Sequence, residues 1–368
     1  MVLATSPSNG ATLSRQPEGQ VDLDRLSAFV GKSVGDFGAL VNGALVVVGD
    51  RLGLYRAMAD GRPTTAAELA QRTSTDSRYV EEWLKAQATG GYVVHEGEGR
   101  YRLPPEHAVA LTDETSPAFV VGGFQLGLAS VRSTDTLTEA FRTGAGIAWG
   151  AHDADLFPGC ERLFGPSYRT FLASAWLPAL DGVHDRLVAG ASVADVGCGY
   201  GTSTIIMAQA YPRSRFMGFD AHPGSVAAAR QAAEEAGLGD RVQFEVRLAQ
   251  DIPGTYDLAT VCDALHDMGD PVGAARHLRS VLAPGGTLMI VEPVAGDDVD
   301  DNMNPIGAAY YAFSTFLCTA GSRSQPVGLA LGAQAGERRL RQVLAEAGFG
   351  HVRRVADSPL NMVIEARP

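Results

Sequence analysis

The chain is 368 residues long, with 45% hydrophobic and 20% charged residues. This balance is typical of a folded protein, and the length suits two or more domains better than a single core. The formal net charge is −12 and the isoelectric point lies near 5.1. These values argue against nucleic acid or an anionic membrane as the main partner, because both attract Lys and Arg.

Cysteine spacing and the apolar segments restrict the class of protein further. The cysteines are dozens of residues apart: Cys160, Cys198, Cys262 and Cys318. Neither a zinc ribbon nor a disulfide framework is predicted from such spacing. Residues 1–19 lack the basic start and apolar stretch of a signal peptide, and the most apolar segment, 118–131, is too short to span a bilayer. We therefore expect a cytoplasmic protein.

The N-terminal third has the pattern of a small helical module. Residues 1–20 are predicted to be a disordered tail, and 21–59 have apolar residues at helical spacing. Then come a helix start after Thr64, a second helix between Asp76 and Gly90, and two short strands around a Gly-rich tip at 96–99. Helix, turn, helix and hairpin together resemble a winged-helix module.

The charge of this module decides between DNA binding and another role. Residues 64–106 contain five Arg or Lys against seven acidic residues. The second helix, which would enter a DNA groove, carries Glu81 and Glu82 in its first turns. A surface that faces phosphates needs the opposite sign. The module is therefore predicted to serve dimerisation or to act as a lid.

The remaining chain divides into two parts. Residues 112–190 have apolar and aromatic residues at helical spacing and are predicted to be a helical linker and lid. From residue 191 short strands alternate with helices, which predicts a parallel sheet. The predicted divisions are a tail at 1–20, a winged-helix dimerisation domain at 21–111, the linker at 112–190 and a sheet domain at 191–368.

The strongest motif lies at the start of the sheet domain. A buried strand containing Asp195 leads directly into Gly197-Cys198-Gly199-Tyr200-Gly201, and the next strand ends in Asp220. Glycines let the backbone approach a ligand closely, and a helix N-terminus offers free N–H groups to an anion. Asp220 can accept hydrogen bonds from both hydroxyls of a ribose. Asp195 would repel a pyrophosphate but suits a ligand with an ammonium group.

This motif resembles that of class I S-adenosylmethionine-dependent methyltransferases, and the resemblance extends over residues 192–368. It implies a Rossmann-like, seven-stranded, doubly wound α/β sheet that binds S-adenosylmethionine. In the family an Asp often follows the third strand where this chain has Leu248, so Ala249 and Gln250 are the expected adenine contacts. The resemblance implies these donor-site residues: Asp195, Gly197, Cys198, Gly199, Gly201, Asp220, Ala221, Leu248, Ala249, Gln250, Cys262 and Asp263.

The end of the fourth strand supplies the candidate catalytic residues. His266 and Asp267 follow that strand, and Glu292 ends the next one. Here the chain is similar to winged-helix small-molecule O-methyltransferases, in which the His is a general base and the glutamate orients it. A phenol or enol gains nucleophilicity by losing its proton, which a His with an ordinary pKa of about 6.5 can accept. The alternative is that His266 only caps the next helix.

A His-Asp pair can also be part of a metal site. Some C-methyltransferases of this architecture bind iron through such a pair and a second His from a later helix. The corresponding segment here, 310–318, contains no His. We therefore expect no metal, although metal-assisted C-methylation of a keto acid or aromatic carbon stays open. The acidic run 297–301 lacks the spacing of an EF-hand and is expected to be a solvated loop.

The segment between the fifth strand and the last helix is rich in aromatic and small residues, and in this fold such an insert lines the acceptor pocket. The predicted acceptor contacts are Tyr168, Trp176, Met268, Met303, Tyr310, Phe313 and Phe316. Core packing explains the aromatic stripe equally well. An apolar pocket would suit a small aromatic or enolic acceptor. The leading hypothesis is a homodimeric O-methyltransferase, with C-methylation and a ligand-sensing transcriptional regulator as alternatives.

Overall fold

A computed structural model describes residues 21–368, so the tail predicted at 1–20 lies outside the described residues. The chain begins with a 29-residue helix, α1 (Leu23–Arg51), followed by a short α2 (Leu54–Met58). Asp22 starts α1 by accepting hydrogen bonds from the backbone N–H groups of Asp24 and Arg25. A carboxylate at this position satisfies donors that have no partner within the helix.

The predicted winged helix forms as helix, turn, helix and hairpin. Thr65 and Glu68 make a reciprocal capping box at the start of the first helix, one residue later than the sequence signal at Thr64 indicated. The helices are α3 (Ala66–Thr73) and α4 (Ser77–Thr89), and the strands are β1 (Thr64–Thr65), β2 (Val94–Gly97) and β3 (Arg100–Arg102). The three strands pair in the order β1-β3-β2.

The region between the winged helix and the main sheet is helical, as predicted. Its helices are α5 (Pro105–Thr112), α6 (Val121–Val131), α7 (Thr134–Thr143), α8 (Leu156–Phe171), α9 (Leu177–Ala179) and α10 (Val183–Ala189). A single π-helical turn, Leu172–Trp176, joins α8 to α9. α6 packs against both α1 and α8 and so connects the winged helix to the rest of the chain.

The main sheet has seven strands in the order β6-β5-β4-β7-β8-β10-β9, which confirms the predicted fold. The strands are β4 (Ser192–Val196), β5 (Arg215–Asp220), β6 (Val242–Val246), β7 (Tyr256–Cys262), β8 (Leu282–Pro293), β9 (His351–Asp357) and β10 (Asn361–Arg367). β4 to β8 run parallel, whereas β10 is antiparallel to β8 and β9. β8 begins at Leu282, which already pairs with Tyr256 of β7 before a register shift.

Helices cover both faces of this sheet. Alternate side chains of a strand point to opposite faces, so Val193 belongs to one core and Ala194 to the other. One face packs against α10, α11 and α12, and the other against α13 and α16. The helices of this part are α11 (Thr202–Ala210), α12 (Pro223–Glu235), α13 (Pro271–Ser280), α14 (Pro305–Phe313), α15 (Thr319–Arg323) and α16 (Gly336–Glu346).

Helix α1 leaves a long apolar surface uncovered. Its exposed apolar side chains are Leu23, Leu26, Phe29, Val30, Val34, Phe37, Leu40, Val41 and Val48. By length and composition α1 is apolar enough to cross a membrane, and 28% of its most apolar stretch is buried in the protein. Among the described residues α1 has this length, whereas the more apolar segment 118–131 is too short, as the sequence indicated. That segment forms the short α6, which packs inside the protein.

Candidate active site

A cavity of about 640 Å³ lies where the strands β4, β5, β7 and β8 end. Ligands of doubly wound sheets bind at this edge, because the strand order reverses between β4 and β7 and leaves a crevice there. One side of the cavity, the strand side, is formed by the segments that follow the strands: 196–203, 220–225, 247–250 and 262–264. The opposite side, the helix side, comes from residues of α6, α8, α14 and the segments beside them.

The glycines of the turn after β4 have two different structural roles. Gly197, Gly199 and Gly201 all have positive φ angles, which L side chains rarely adopt. A Cβ atom on Gly201 would lie 2.7 Å from the Phe244 ring, so this glycine is required by packing and does not line the cavity. A Cβ on Gly199 would meet nothing within 4 Å. Gly199 therefore keeps the strand side open.

Asp220 holds the turn in place and faces the cavity. One of its carboxylate oxygens accepts the Gly199 N–H at 2.9 Å, and the other accepts the His222 N–H at 2.8 Å. Burial raises the pKa of Asp220, while these two hydrogen bonds oppose that shift. Each carboxylate oxygen has a second lone pair, so Asp220 retains the capacity to accept hydrogen bonds from a ligand.

Asp195 lies away from the cavity, although the sequence placed it among the donor contacts. Its side chain is completely buried beneath the turn. Its oxygens accept hydrogen bonds from Ser203 and Thr204 at 2.6 Å and from Thr260 at 2.7 Å. A carboxylate whose lone pairs are used by three hydroxyl groups supports the start of α11 and the β4–β7 pairing. It is not placed to receive an ammonium group.

The other predicted donor contacts converge on the strand side. Seven of them line the cavity: Cys198, Ala221, Leu248, Ala249, Gln250, Cys262 and Asp263. Asp263 has a φ of +48°, an unfavourable conformation for a residue with a Cβ. Its carboxylate accepts hydrogen bonds from Tyr168 at 2.6 Å and from Asn361 at 2.9 Å. Burial raises the pKa of Asp263 to about 7.

His266 and Glu292 form a buried pair between the two sides. His266 sits in a 3₁₀ turn, Leu265–Asp267, and the His266 Nδ1 atom contacts a Glu292 carboxylate oxygen. The other Glu292 oxygen accepts the backbone N–H groups of Leu265 and His266. Burial lowers the pKa of His266, but Glu292 and Asp267 raise it and outweigh burial. Glu292 itself lies behind His266 and does not line the cavity.

Some buried polar atoms of the described residues lack hydrogen-bond partners. Among residues 21–368, the buried Asp267 Oδ1 atom has no hydrogen-bond partner, and it lies 3.3 Å from His266 Nε2 without the alignment of a hydrogen bond. The thiol of Cys318 lies within 4.8 Å of donor atoms of both residues. His152 is buried with neither ring nitrogen partnered in the same described range. Buried polar groups without partners are uncommon and point to a ligand or water.

The predicted acceptor contacts divide into two groups. Tyr168, Met268, Tyr310 and Phe313 line the cavity. The others do not: Trp176 is completely buried in the core of the sheet, Met303 is 78% exposed, and Phe316 packs on the back of the helix side. Residues 313 and 316 separate because a π-helical turn, Ser314–Cys318, follows α14 and rotates the later side chains. This turn brings Cys318 to the cavity instead.

Sequence reasoning missed most of the helix side. Trp149, Phe157, Cys160 and Phe164 line the cavity, and the Phe157 ring stacks on His222 with 4.5 Å between ring centroids. These residues lie in the region predicted only as a linker and lid. They form no motif, and the one signal in the sequence was the aromatic periodicity of residues 112–190. Their spatial convergence depends on how α6 and α8 cross.

Comparisons with known proteins agree with this geometry. Residues 187–348 match the family model of a methyltransferase domain, and residues 41–113 match a Rv2258c-like winged HTH domain. Residues 187–348 thus form an S-adenosylmethionine-dependent methyltransferase domain, which follows a winged-helix domain. S-adenosylmethionine is therefore its cofactor. The winged module predicted from the sequence is confirmed.

Individual relatives resemble the chain over most of its length. It is 26% identical over 316 residues to the O-demethylpuromycin-O-methyltransferase of Streptomyces alboniger, covering 77% of this chain and 74% of the relative. A solved putative O-methyltransferase from Nostoc punctiforme superposes with a TM-score of 0.71 at 20% identity, covering 93% and 98% of the two chains. A mitomycin 7-O-methyltransferase has a TM-score of 0.68 at 21% identity, covering 94% and 100%. Other curated relatives match over 101 to 114 residues, which is 24% to 47% of their length.

Proposed function

We propose that the protein transfers a methyl group from S-adenosylmethionine to an oxygen atom of a small aromatic or enolic molecule, with His266 as general base. The observation that carries this proposal is the His266–Glu292 pair. Because Glu292 engages the Nδ1 atom, the remaining ring nitrogen, Nε2, is the one available on the cavity side. A hydroxyl group held there can give its proton to Nε2 as it attacks the methyl carbon.

Glu292 supports this role in two ways. Its contact with His266 Nδ1 fixes the ring orientation and selects the tautomer that leaves a lone pair on Nε2. Its negative charge also stabilises the imidazolium that forms when His266 accepts the proton. The backbone N–H groups of Leu265 and His266 hold the other Glu292 oxygen, so the carboxylate cannot rotate away. Glu292 is thus a positioning residue.

The strand side fits the methyl donor. Gly199 leaves space for close approach, and Asp220 can accept hydrogen bonds from ribose hydroxyls. Leu248, Ala249 and Gln250 follow the third parallel strand in the position that suits an adenine ring. S-adenosylmethionine supplies an electrophilic methyl group on a sulfonium. The protein's part is to hold the acceptor oxygen in line with that group, which is the main source of rate enhancement in such a displacement.

The helix side favours an acceptor that is flat and mostly apolar. It is lined by aromatic side chains, among them Trp149, Phe157, Phe164, Tyr310 and Phe313. Relatives named as O-methyltransferases of puromycin and mitomycin compounds support a natural-product acceptor. The regulator alternative is less favoured, because α4 carries Glu81 paired with Lys85 and Glu82 paired with Arg78. These pairs leave that helix without free positive charge for a phosphate.

Methyl transfer from isotope-labelled S-adenosylmethionine to a panel of phenols, enols and hydroxylated heteroaromatics tests the reaction. We expect products that mass spectrometry identifies as O-methyl ethers. Products methylated on carbon would replace O-methylation by the C-methyltransferase alternative. Calorimetry with S-adenosylhomocysteine accompanies the screen, and a wild type that does not bind it would contradict the donor site itself.

We propose a cytoplasmic homodimer, and the exposed apolar face of α1 supports the dimer. Exposing this many apolar side chains to water is unfavourable, so the helix is expected to pack against a partner. A second copy of the same helix can bury this face in a self-complementary interface. We expect light scattering to give twice the chain mass. Phe29→Asp, whose side chain is 66% exposed, should give monomers, whereas Ser27→Asp on the same exposed helix should not. A monomeric wild type that floats with lipid vesicles would assign α1 to a membrane instead.

A further inference from the structure

We propose that His266, Asp267 and Cys318 form a binding site for one borderline-soft divalent cation of the Zn²⁺ type. Their donor atoms all lie within 4.8 Å of one another and all three residues line the cavity. Histidine nitrogen, carboxylate oxygen and thiolate sulfur are the three donor types that proteins use for Zn²⁺. The site itself does not depend on the reaction proposed above.

The separation of two of these donor atoms already matches that of a zinc-bound pair. In a tetrahedral zinc site with bonds of roughly 2.0–2.1 Å, a nitrogen and an oxygen ligand lie about 3.4 Å apart. His266 Nε2 and Asp267 Oδ1 are separated by 3.3 Å. This separation, with its poor alignment, is unsuited to a hydrogen bond. The Cys318 Sγ atom lies within 4.8 Å of both of these donor atoms.

Two atoms of this cluster are available to a cation. Glu292 engages His266 Nδ1, so Nε2 is the ring nitrogen that can offer a lone pair once the ring is neutral. The buried Asp267 Oδ1 atom lies 3.3 Å from Nε2 and has no hydrogen-bond partner among the described residues, so a cation bound by both atoms would satisfy it. Glu292 then completes a carboxylate–histidine–metal arrangement, which orients the ring and increases its basicity as a ligand.

The surroundings allow a cation to enter and to be held. Asp267 is 27% exposed toward the cavity, whereas His266 and Cys318 are buried. The thiol of Cys318 would release its proton to solvent when it binds the metal, so one thiolate and one carboxylate balance the dipositive charge. Three protein ligands leave the fourth position open to the cavity. Cys318 reaches the site because the π-helical turn Ser314–Cys318 directs it there.

Occupation of this site has a consequence that rests on the proposed function. The Nε2 atom of His266 has one lone pair, which can accept a proton or bind a cation but cannot do both. A bound Zn²⁺ ion therefore removes the general base. In the methyl-transfer assay, one equivalent of Zn²⁺ should slow the wild type at least about tenfold, and a chelator should restore the rate. Stimulation by Zn²⁺ would overturn this mutual exclusion.

Titration of the metal-free protein with Co²⁺ tests the site without any methyl acceptor. We expect one equivalent to bind with a near-ultraviolet thiolate-to-cobalt band and strong visible bands of a four-coordinate ion. Cys318→Ser should abolish the thiolate band and weaken binding at least about tenfold. Cys160→Ser changes a cysteine of the same cavity that is not a ligand and should leave the spectrum unchanged.

Asp267→Asn provides a second variant that leaves the thiol in place, and it should weaken Co²⁺ binding while retaining some thiolate band. Circular dichroism and calorimetry with S-adenosylhomocysteine show whether each variant is folded. Failure of the folded wild type to bind one Co²⁺ with a thiolate band overturns the site, as does a band that depends on Cys160. Neither result affects the methyl-transfer measurements, so the two proposals fail separately.

Discussion

The two sides of the cavity are built by different means. The strand side is made of short segments that each follow a parallel strand, and its shape is fixed by backbone groups such as the Gly199 N–H, which Asp220 holds. The helix side consists of large side chains from α6, α8 and α14 that are far apart in the sequence. Backbone geometry repeated by a fold can hold one common cofactor, whereas side chains can be exchanged to suit different acceptors.

This contrast predicts that substitutions in the cavity fall into three groups, which change the chemical step, donor binding or acceptor binding. The largest effect is expected for His266→Ala. Loss of a general base should lower kcat by roughly 10²- to 10⁴-fold, with S-adenosylhomocysteine affinity nearly unchanged. His184→Ala, whose ring contacts Tyr211 away from the cavity, is the matched control. Turnover equal to wild type in His266→Ala would remove the base from the mechanism.

Asp220→Ala should show the largest effect on the strand side. Loss of charge-assisted hydrogen bonds of about 1.5–3 kcal/mol corresponds to a roughly 10- to 150-fold weaker affinity for S-adenosylhomocysteine. Calorimetry measures this directly. Asp251→Ala changes an exposed carboxylate next to the strand side and should have no effect. If both variants bind equally well, the ribose contact is assigned to the wrong residue.

Glu292→Gln tests whether Glu292 raises the pKa of His266. A base must be deprotonated to act, and Glu292 and Asp267 together raise the pKa of His266 above its ordinary value. In the wild type kcat/KM should therefore rise with pH, with a midpoint above about 6.5. In Glu292→Gln the midpoint should fall by about one pH unit or more, and kcat should drop about tenfold. An unchanged midpoint would show that Glu292 acts only on stability.

Phe313→Ala addresses the helix side. Removing an aromatic ring that lines the cavity costs about 1.5 kcal/mol of apolar contact, so KM for the acceptor should rise about tenfold. S-adenosylhomocysteine affinity should stay within about twofold of wild type. Phe316→Ala, on the back of the same segment, is the control for a change in packing. Equal effects of both variants on KM would mean that the ring at 313 does not touch the acceptor.

The smallest effects are expected from a pair of glycines in one turn. Gly199→Ala and Gly201→Ala both place a Cβ at positive φ, which costs about 1–2 kcal/mol. Gly201→Ala adds a clash with Phe244 and should lower the melting temperature more. For a given loss of stability, Gly199→Ala should weaken S-adenosylhomocysteine binding more than Gly201→Ala does. The opposite ranking would place the cofactor elsewhere along the turn.

The sequence by itself determined the fold and the strand side. Period-two and helical patterns predicted the sheet and the winged helix, and the glycine turn with Asp220 predicted where the donor binds, because these residues belong to one strand–turn–helix unit. His266 and Glu292 were predicted from the resemblance to winged-helix O-methyltransferases, and they meet because adjacent parallel strands bring their ends together.

Only the tertiary structure decided the role of Asp195, the identity of the helix side and the position of Cys318. Asp195 is used by three hydroxyl groups that lie 8, 9 and 65 residues away along the chain. The helix side depends on crossing helices and on a π-helical turn, which shifts the face on which Cys318 emerges. Such contacts join residues that are distant in sequence, and no local spacing encodes which of them will meet.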